Sequence, residues 1–524
     1  MKTFFFSFFV VLSSLSYAQQ KPNFLWLVCE DQSLFFPPYG DNNANTPNIK
    51  QLAEDGVVFD NCFSTSPVCA PSRSSLITGM HPTTIGSQNM RAYKSGKEGK
   101  NPHNNLPFYS PVPKRKVQFF TEILRANNYY CSNNSKEDYN MECSPLAWDE
   151  SSPNAHWRNR KDKQPFFAVF NFNRSHESNI WKKETTHSKE AVNAFHLPSI
   201  FPNSDLIKRD FLTNYKNIEK LDEQIGVLIQ QLKQDSLYDN TIIFFFSDHG
   251  GPFPGYKRSI HDLGIQCPFI AKWDTVSSEK INPQMVSFVD FAPTVLDAAG
   301  IITEYKMEGV SFYKNNQRDY IFASTDRFDE LKTKTRCIRT KKYKLIFNVD
   351  TGFSSGGTIK YRNQMTTMQV LYNYKDKDSL STYFKKWFAS SKPRYQLYNI
   401  ELDPFECRNL VNDTLYRSVF LNLKKELHKW IASSEYGTID EKSMVLEMLG
   451  PALNQPELNR PAVEKINEGI VVQSTNNMAS IGWRLTGAIK WNMYTKHSII
   501  QPQGDFEVIL FQVGYKPLVT KFNE

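Results

Sequence analysis

Short, unbroken apolar runs bounded by turn-forming residues recur along the chain. Three of them lie within residues 23–30, 165–173 and 241–248. Runs of this length are typical of buried strands in a parallel sheet. Helical patterns lie between them: residues 46–56 open with a threonine cap and a first-turn proline and close on glycine, and residues 210–237 space leucine and isoleucine at helical period. Strands alternating with helices predict an α/β sandwich with a mainly parallel sheet.

The pattern changes after about residue 310. Residues 319–348 and 395–410 indicate shorter β segments, and residues 411–434 indicate a helix. We therefore predict a main α/β domain over residues 19–310 and a smaller α+β subdomain over residues 311–450. A small β module is predicted over residues 455–524, with short strands at 469–473, 480–485, 490–494 and 506–513.

The first eighteen residues indicate a secretory signal peptide. They combine a lysine, an apolar run and a small-residue end at residues 16–18, which predicts cleavage after Ala18. The alternative is a membrane anchor, but the run is short for a bilayer, and no later window holds eighteen unbroken apolar residues. We expect an exported protein, periplasmic or secreted, without a membrane span.

Charge and cysteine content narrow the function classes. The 524 residues carry a formal net charge of +8, without a basic block, which argues against nucleic acid as a partner. Eight cysteines are too few for a disulfide scaffold, although Cys131 and Cys143 form a candidate pair. Cys29 and Cys267 lie in strand-like apolar runs, where we expect buried small side chains.

Polar residues collect where the predicted strands end. Glu30 and Asp31 follow the first run, His176 follows the second, and Asp248 and His249 follow the third. Ligands of such sheets bind beyond the carboxyl ends of the strands. One acidic residue after one strand is usually a cap or a turn, but three polar clusters at three strand ends favour a ligand site.

The stretch SPVCAPSRSSLITG, residues 66–79, carries the most specific signal. It places Cys69 among turn formers at the start of a helix-like run, where free N–H groups suit an anion, and places Arg73 one turn further on. Its CAPSR and SLITG segments fit the signature of the type I, formylglycine-dependent sulfatases, which have an alkaline phosphatase-like fold. The chain resembles that family over roughly residues 22–450. The resemblance implies that a formylglycine-generating maturation enzyme oxidises Cys69, whose hydrated aldehyde then supplies the nucleophilic oxygen.

The same resemblance implies a metal site. Glu30, Asp31, Asp248 and His249 match the family's metal ligands and would bind one Ca²⁺ together with the Cys69-derived oxygen. Carboxylates suit calcium, and Glu30 stands where the family more often has aspartate. A histidine nitrogen suits calcium poorly, so His249 has two interpretations: it lies beside the metal, or it touches the nucleophile.

Sulfate and leaving-group contacts are implied as well. Lys136 and Lys257 match the two lysines that hold the sulfate, and His176 matches the histidine that faces the leaving-group oxygen. Asp138 stands where the family has a second histidine after the lysine. Either Asp138 or Tyr139 would then replace that contact.

Other segments of the sequence give information on the substrate. Residues 250–254 and 395–410 resemble the heparan N-sulfatase branch, which includes enzymes of sulfated polysaccharides such as ulvan. The implied reaction is hydrolysis of carbohydrate sulfate esters, with N-sulfates as a further class. A loop holding His81, Gln88, Asn89 and Arg91 indicates either a sugar subsite, with Arg91 pairing to a uronate or second sulfate, or an ordinary polar loop.

Two rival functions fit part of the pattern. One is a phosphatase or phosphonate hydrolase of the same superfamily, which shares the metal clusters but not the complete Cys69 motif. The other is a non-catalytic protein that binds sulfated carbohydrate, which the aspartate at position 138 leaves open. The tail is similar to small β modules of chitobiase-like enzymes and would act as a spacer or a sugar contact.

Overall fold

A computed structural model describes residues 21–182, 185–273, 280–313 and 317–523. The predicted signal peptide and its cleavage site lie outside these residues. The fold is built on a large sheet of eight strands, which are β1 (Asn23–Cys29), β2 (Val57–Phe63), β3 (Tyr130–Asn134), β4 (Glu150–Ser151), β5 (Phe166–Phe172), β6 (Thr241–Ser247), β7 (Gln266–Lys272) and β8 (Ile281–Ser287).

The strand order is β4-β3-β5-β1-β6-β7-β2-β8, and all neighbours are parallel except those of β7. Leu25 of the central strand β1 pairs with Ala168 of β5 and with Ile243 of β6. The three apolar runs seen in the sequence therefore form adjacent strands. Because parallel strands end at the same edge of a sheet, the polar residues after them meet there.

Helices cover both faces of this sheet. No helix in the described part of the chain has the length and apolar character needed to cross a bilayer. In chain order, they are α1 (Pro47–Asp55), α2 (Cys69–Thr78), α3 (Pro82–Ile85), α4 (Phe120–Ala126), α5 (Ser178–Trp181), α6 (Lys189–Ala194), α7 (Asp205–Gln234), α8 (Asp262–Ile265), α9 (Phe291–Ala298), α10 (Thr366–Asp376), α11 (Thr382–Phe388), α12 (Arg417–Ser433) and α13 (Glu441–Leu449).

Alternate side chains of each strand enter two separate cores. Leu25 and Leu27 of β1 pack on the face covered by α1 and the long α7. Trp26 and Val28 pack on the opposite face, under α2, α4 and α9. Helices α10 and α11, which come from the predicted C-terminal subdomain, pack on the α7 face and extend the first core.

Smaller antiparallel sheets follow the large one. One has the order β12-β11-β10-β9 and lies under α12, and the tail holds a β13–β14 hairpin and a sheet of order β16-β15-β17-β18. The fold prediction, a mainly parallel sheet between helices with small β elements after it, is confirmed. The domain limits at 310 and 455 stay predictions. The strands are β9 (Tyr320–Phe328), β10 (Leu331–Thr340), β11 (Tyr343–Asn348), β12 (Tyr395–Asn399), β13 (Ala462–Ile466), β14 (Gly469–Gln473), β15 (Ser480–Leu485), β16 (Asn492–Tyr494), β17 (Phe506–Phe511) and β18 (Leu518–Phe522).

All eight cysteines are free thiols, so a Cys131–Cys143 disulfide is not formed. Cys131 lies inside β3, where its thiol donates to the carbonyl of Thr121 at 3.7 Å. Cys29 and Cys267 are completely buried, as their apolar surroundings predict. Spacing in the sequence indicated a possible pair, but the strand directs the Cys131 side chain into the α4 core instead.

Candidate active site

Cys69 is the first residue of α2, at the edge where the parallel strands end. Val68 before it is extended, and Gly79 ends the helix in the left-handed conformation (φ 68°), as a C-terminal glycine commonly does. Ser72 donates a short hydrogen bond to the backbone carbonyl of Asp248, which fastens the helix start to the end of β6. Cys69 is therefore held at a fixed place, with the positive end of α2 behind it.

Two carboxylates and an imidazole surround the Cys69 sulfur. The Sγ atom lies 3.3 Å from His249 Nε2 and 4.0 Å from Asp31 Oδ1. His249 Nε2 also lies 3.0 Å from Asp31 Oδ1 and 3.7 Å from Asp248 Oδ1. Burial opposes a charged His249, but Asp248 and Cys69 outweigh it and raise the imidazole pKa to about 10.

Arg73 has one donor group left over. Its Nε donates to Asp248 Oδ2 at 3.0 Å, and its Nη1 donates to Asn171 Oδ1 at 2.7 Å. Its Nη2 is buried and has no hydrogen-bond partner among the residues described. Burial disfavours the charge, yet Asp248 and Glu30 hold the guanidinium pKa above its ordinary value. An unpaired buried donor is costly, and an incoming oxyanion would satisfy it.

Lys257 lies at the centre of a second group of charges. Its Nζ is 2.8 Å from Asp31 Oδ2 and 3.0 Å from Glu177 Oε1. Arg258 holds Glu177 through two hydrogen bonds of 2.9 and 3.1 Å. Burial raises the pKa of Glu177, but Arg258 and Lys257 overcome it and lower it to about 2. Sequence reasoning missed Glu177 and Arg258, although each directly follows a residue that it had selected.

Lys136 comes from the turn after β3. Its Nζ donates to Glu30 Oε2 at 2.8 Å and lies 3.6 Å from Asp138 Oδ2. Asp138 therefore contacts the lysine, whereas the imidazole contact with Cys69 comes from His249. Tyr139 is buried, and its ring packs against Phe119 at 5.5 Å. The second of the two interpretations of His249, a contact with the nucleophile position, agrees with this geometry.

His176 follows β5 and a single 3₁₀ turn. The backbone N–H of Ser178 donates to its Nδ1 at 3.3 Å, and the Ser178 hydroxyl lies 2.9 Å from the same atom. The His176 Nε2 atom lies 3.4 Å from Lys257 Nζ and 3.8 Å from Asp31 Oδ2. Burial lowers the pKa of His176, although Asp31 acts in the opposite direction. The Nε2 atom therefore lies between a cation and a carboxylate, which act on its proton in opposite directions.

A cavity of about 430 Å³ opens over these groups. Cys69, His176 and Lys257 line it, and Arg91 stands on its rim with a side chain that is 53% exposed. The other residues of the predicted sugar loop have structural contacts. His81 packs edge-on against Trp430 at 5.2 Å, and Gln88 donates to the Tyr436 carbonyl at 3.4 Å. Asn89 accepts from the backbone of Arg327.

The acidic groups fit a hard divalent cation. Ligand atoms of Asp31, Cys69, Asp248 and His249 all lie within 4.8 Å of one another, and Glu30 belongs to an overlapping group with Cys69 and His176. Buried carboxylate oxygens are the donors that calcium prefers. Lys257 and His249 neutralise the negative charge of Asp31. A bound cation would supply positive charge to the same carboxylate.

Comparison with known proteins identifies the family of this chain. A family model described as Sulfatase matches residues 22–301, and a second, described as the C-terminal part of N-sulphoglucosamine sulphohydrolase, matches residues 255–389. An ulvan-active sulfatase of Formosa agariphila is 37% identical, over 95% of this chain and 90% of that protein. The chain belongs to the sulfatase family. It is a sulfuric ester hydrolase.

More distantly related sulfatases are also similar to this chain. The human N-sulphoglucosamine sulphohydrolase is 22% identical over 78% of this chain and 89% of its own length. Among solved structures, a 2-O GAG sulfatase superposes with a TM-score of 0.56 at 17% identity, covering 79% of this sulfatase and 93% of that chain. At this identity the solved structure confirms the fold alone.

Proposed function

We propose that this sulfatase removes sulfate esters from a sulfated polysaccharide or its oligosaccharides, with ulvan as the first candidate. The supporting observation is the position of Cys69 at a buried helix start, where it lines a cavity together with His176 and Lys257 and lies beside Asp31, Asp248 and His249. The ulvan assignment rests on the 37% identical Formosa agariphila protein. N-sulfates are a further substrate class, because part of the chain matches the N-sulphoglucosamine sulphohydrolase model.

Cys69 is the proposed site of conversion to formylglycine by a maturation enzyme. The Cys69 Sγ atom of this structure stands in for the oxygens of the hydrated aldehyde, which would supply the nucleophile for sulfur. His249 Nε2, at 3.3 Å from Sγ, would orient that group through a hydrogen bond. Ser72 and the end of β6 keep the helix start from shifting.

Asp31, Asp248 and Glu30 are the proposed calcium ligands, together with the Cys69-derived oxygen, and His249 lies beside them. Bound there, Ca²⁺ would supply positive charge to the nucleophile and to one sulfate oxygen. Arg73 holds Asp248 through Nε and keeps its carboxylate oriented at 3.0 Å. Metal analysis tests this assignment: calcium should co-purify with the protein and be lost from an Asp31→Asn variant.

The cations around the cavity would bind the sulfate. Lys136, which pairs with Glu30, Lys257, which pairs with Asp31, and the unpartnered Nη2 of Arg73 are the proposed donors to the sulfate oxygens. In its protonated imidazolium form, His176 would give a proton to the sugar oxygen as the bond between that oxygen and sulfur breaks, and would be left as neutral imidazole. Arg91 on the rim, and Asp138 beside Lys136, are placed to contact the sugar.

Export completes the proposal. A periplasmic or secreted location follows from the leader-like first eighteen residues and suits an enzyme whose substrate is a polysaccharide. The tail module packs on the main domain, where Arg125 of α4 donates to the Trp491 carbonyl at 2.7 Å. We propose that it is a fixed spacer rather than a mobile sugar-binding arm.

One peptide tests the central step. Trypsin would release residues 51–73, which contain Cys62 and Cys69 and no internal lysine or arginine. In protein from its own host, Cys69 should be lighter by about 18 Da, the change from thiol to aldehyde at an activated cysteine. Cys62 should be unchanged in the same peptide. Unmodified Cys69, together with no sulfate released from ulvan, would refute the proposed function.

A further inference from the structure

Part of the wall of the cavity comes from a segment that no motif singled out. Lys360, Tyr361 and Gln364 line the cavity together with Cys69 and His176. They lie between β11 and α10, almost two hundred residues beyond His176. We call residues 357–364 the wall segment.

Arg362 fixes the wall segment from behind. Its guanidinium lies over the ring of Trp387 at 4.6 Å and donates to the carbonyl of Gly357, and only 1% of the residue is exposed. Tyr372 of α10 donates to Asn363 at 3.2 Å. With Arg362 held inward, its neighbours Lys360 and Tyr361 are presented to the cavity without help from a ligand.

Tyr361 lies beside the group that serves the leaving oxygen. Its ring centroid is 6.3 Å from the His176 ring, and Trp181 at the end of α5 packs edge-on against it at 5.3 Å. Aromatic rings that are apolar in the middle and polar at one end suit the faces of sugars, which alternate C–H and O–H groups. A sugar whose oxygen faces His176 would therefore lie against Tyr361.

Some of the cationic side chains around the cavity are paired with carboxylates, and others are not. Lys257 and Arg258 are occupied by Asp31, Glu177 and Asp329. Lys360 is exposed and has no ion pair within the ranges that the structure describes.

Arg91 is the second available cation on the rim. Its Nε is 4.0 Å from Asp329, which Arg258 already holds at 3.1 Å. Its backbone is in the left-handed region (φ 56°), a conformation costly for a residue with a side chain, and Ala92 is fixed by Asn140 at 3.0 Å. Glu330 is an exposed carboxylate that lines the same cavity.

We propose that Lys360, Tyr361 and Arg91 bind the leaving-group sugar and select one with an anionic substituent, either a carboxylate or a second sulfate. Tyr361 would contact the sugar face, and the two cations would pair with the anion. This inference rests on the proposed sulfatase reaction and deepens it by naming the substrate class.

Two substrates separate specificity from chemistry. Nitrophenyl sulfate has a leaving group without sugar or anion, whereas an ulvan oligosaccharide presents both. Lys360→Met should lower kcat/KM for the oligosaccharide about tenfold, mainly through KM, and change it less than about twofold for nitrophenyl sulfate. Tyr361→Ala should behave in the same way, and Tyr361→Phe should restore the activity.

The control variant is Lys377→Met, which removes an equally exposed lysine after α10. It should match the wild type on both substrates. Carboxyl reduction of the oligosaccharide distinguishes the anions. If reduction lowers the wild-type rate to that of Lys360→Met, the carboxylate is recognised. If the advantage of the wild type persists, a second sulfate is recognised.

Failure of this inference can be distinguished from failure of the proposed function. If the wild type releases sulfate from ulvan but Lys360→Met and Tyr361→Ala do so equally well, this inference is wrong and the proposed function stands. If the mature wild type releases sulfate from neither substrate, the proposed function is wrong and the inference falls with it.

Discussion

Among the buried groups of charges in the described part of this sulfatase, two differ in what surrounds them. One, around Asp31, Asp248 and Lys257, lies at the end of the parallel strands. The other, which we call the interior cluster, joins α8 to the four-stranded sheet through Asp262 and Lys344, with Arg339 and Glu406 beside them. Both contain ion pairs of 2.8–2.9 Å that are almost completely buried.

Each group leaves one buried atom without a hydrogen-bond partner among the described residues, Arg73 Nη2 in the first and Glu406 Oε2 in the second, and Glu406 lines a cavity of about 160 Å³. The difference lies in the size of the cavity and in the presence of a reactive group. The group at the strand ends borders the larger cavity, of about 430 Å³, and contains Cys69. In the interior cluster two acids face two bases, and Lys344 is fully buried between Asp262 and Glu406. Burial of charge therefore does not by itself indicate catalysis. A reactive group and a large cavity beside it do so in combination.

The largest effect should come from Cys69. Cys69→Ala should lower sulfate release from ulvan at least about 10⁴-fold, because the nucleophile is lost, while the melting temperature changes little. Ion chromatography of released sulfate measures the rate. Cys62→Ala, a change at another buried cysteine of the same tryptic peptide, should keep the activity. Turnover that persists in Cys69→Ala would show that the nucleophile has been misassigned.

His176 should be the next most important group. His176→Ala should lower kcat about 10²- to 10⁴-fold on ulvan oligosaccharides, since a poor leaving oxygen needs a proton. The loss should be much smaller on nitrophenyl sulfate, whose leaving group departs without one. Steady-state rates on both substrates test this. An equal loss on both would mean that His176 positions the sulfate and does not act as the acid.

The interior cluster should affect stability and not chemistry. Lys344→Met would leave Asp262 and Glu406 short of a counter-charge and should cost about 3–5 kcal/mol. Thermal unfolding gives the loss, and the rate per folded molecule at low temperature should be unchanged. Lys342→Met is the matched control, because its exposed pair with Glu401 at 3.4 Å contributes little. If the folded Lys344→Met variant loses turnover, the interior cluster also serves the chemistry, and the proposed difference between the two groups of charges is wrong.

The smallest predicted effect is a pH dependence. Burial raises the pKa of Glu406 to about 7 from its ordinary 4.5, although Lys344 opposes the rise. A carboxyl whose pKa is higher in the folded state costs stability as pH rises from about 4.5 through 7. Glu406→Gln should therefore melt at a higher temperature than the wild type at pH 8. The difference should vanish near pH 4.5, and a difference that grows toward acid pH would contradict the sign.

Local patterns in the sequence predict many of the secondary-structure elements of this protein. The apolar runs predict β1, β5 and β6, because a buried strand must be apolar on both faces. The start of α2 at Cys69 follows from the turn formers before it and the motif itself. Since parallel strands share an edge, the residues that follow them were predicted to meet, and Asp31, Asp248 and His249 do so.

The tertiary structure alone decided which partner each group found. That Lys257 reaches Glu177, that His249 rather than Asp138 touches Cys69, and that the wall segment closes the cavity are contacts between distant positions. No local periodicity encodes them, because they depend on strand order and on how helices α10 and α11 pack against α7. The sequence by itself thus determined the elements and the chemistry at their ends, and the packing of these elements decided the pairing of the charges and the shape of the cavity.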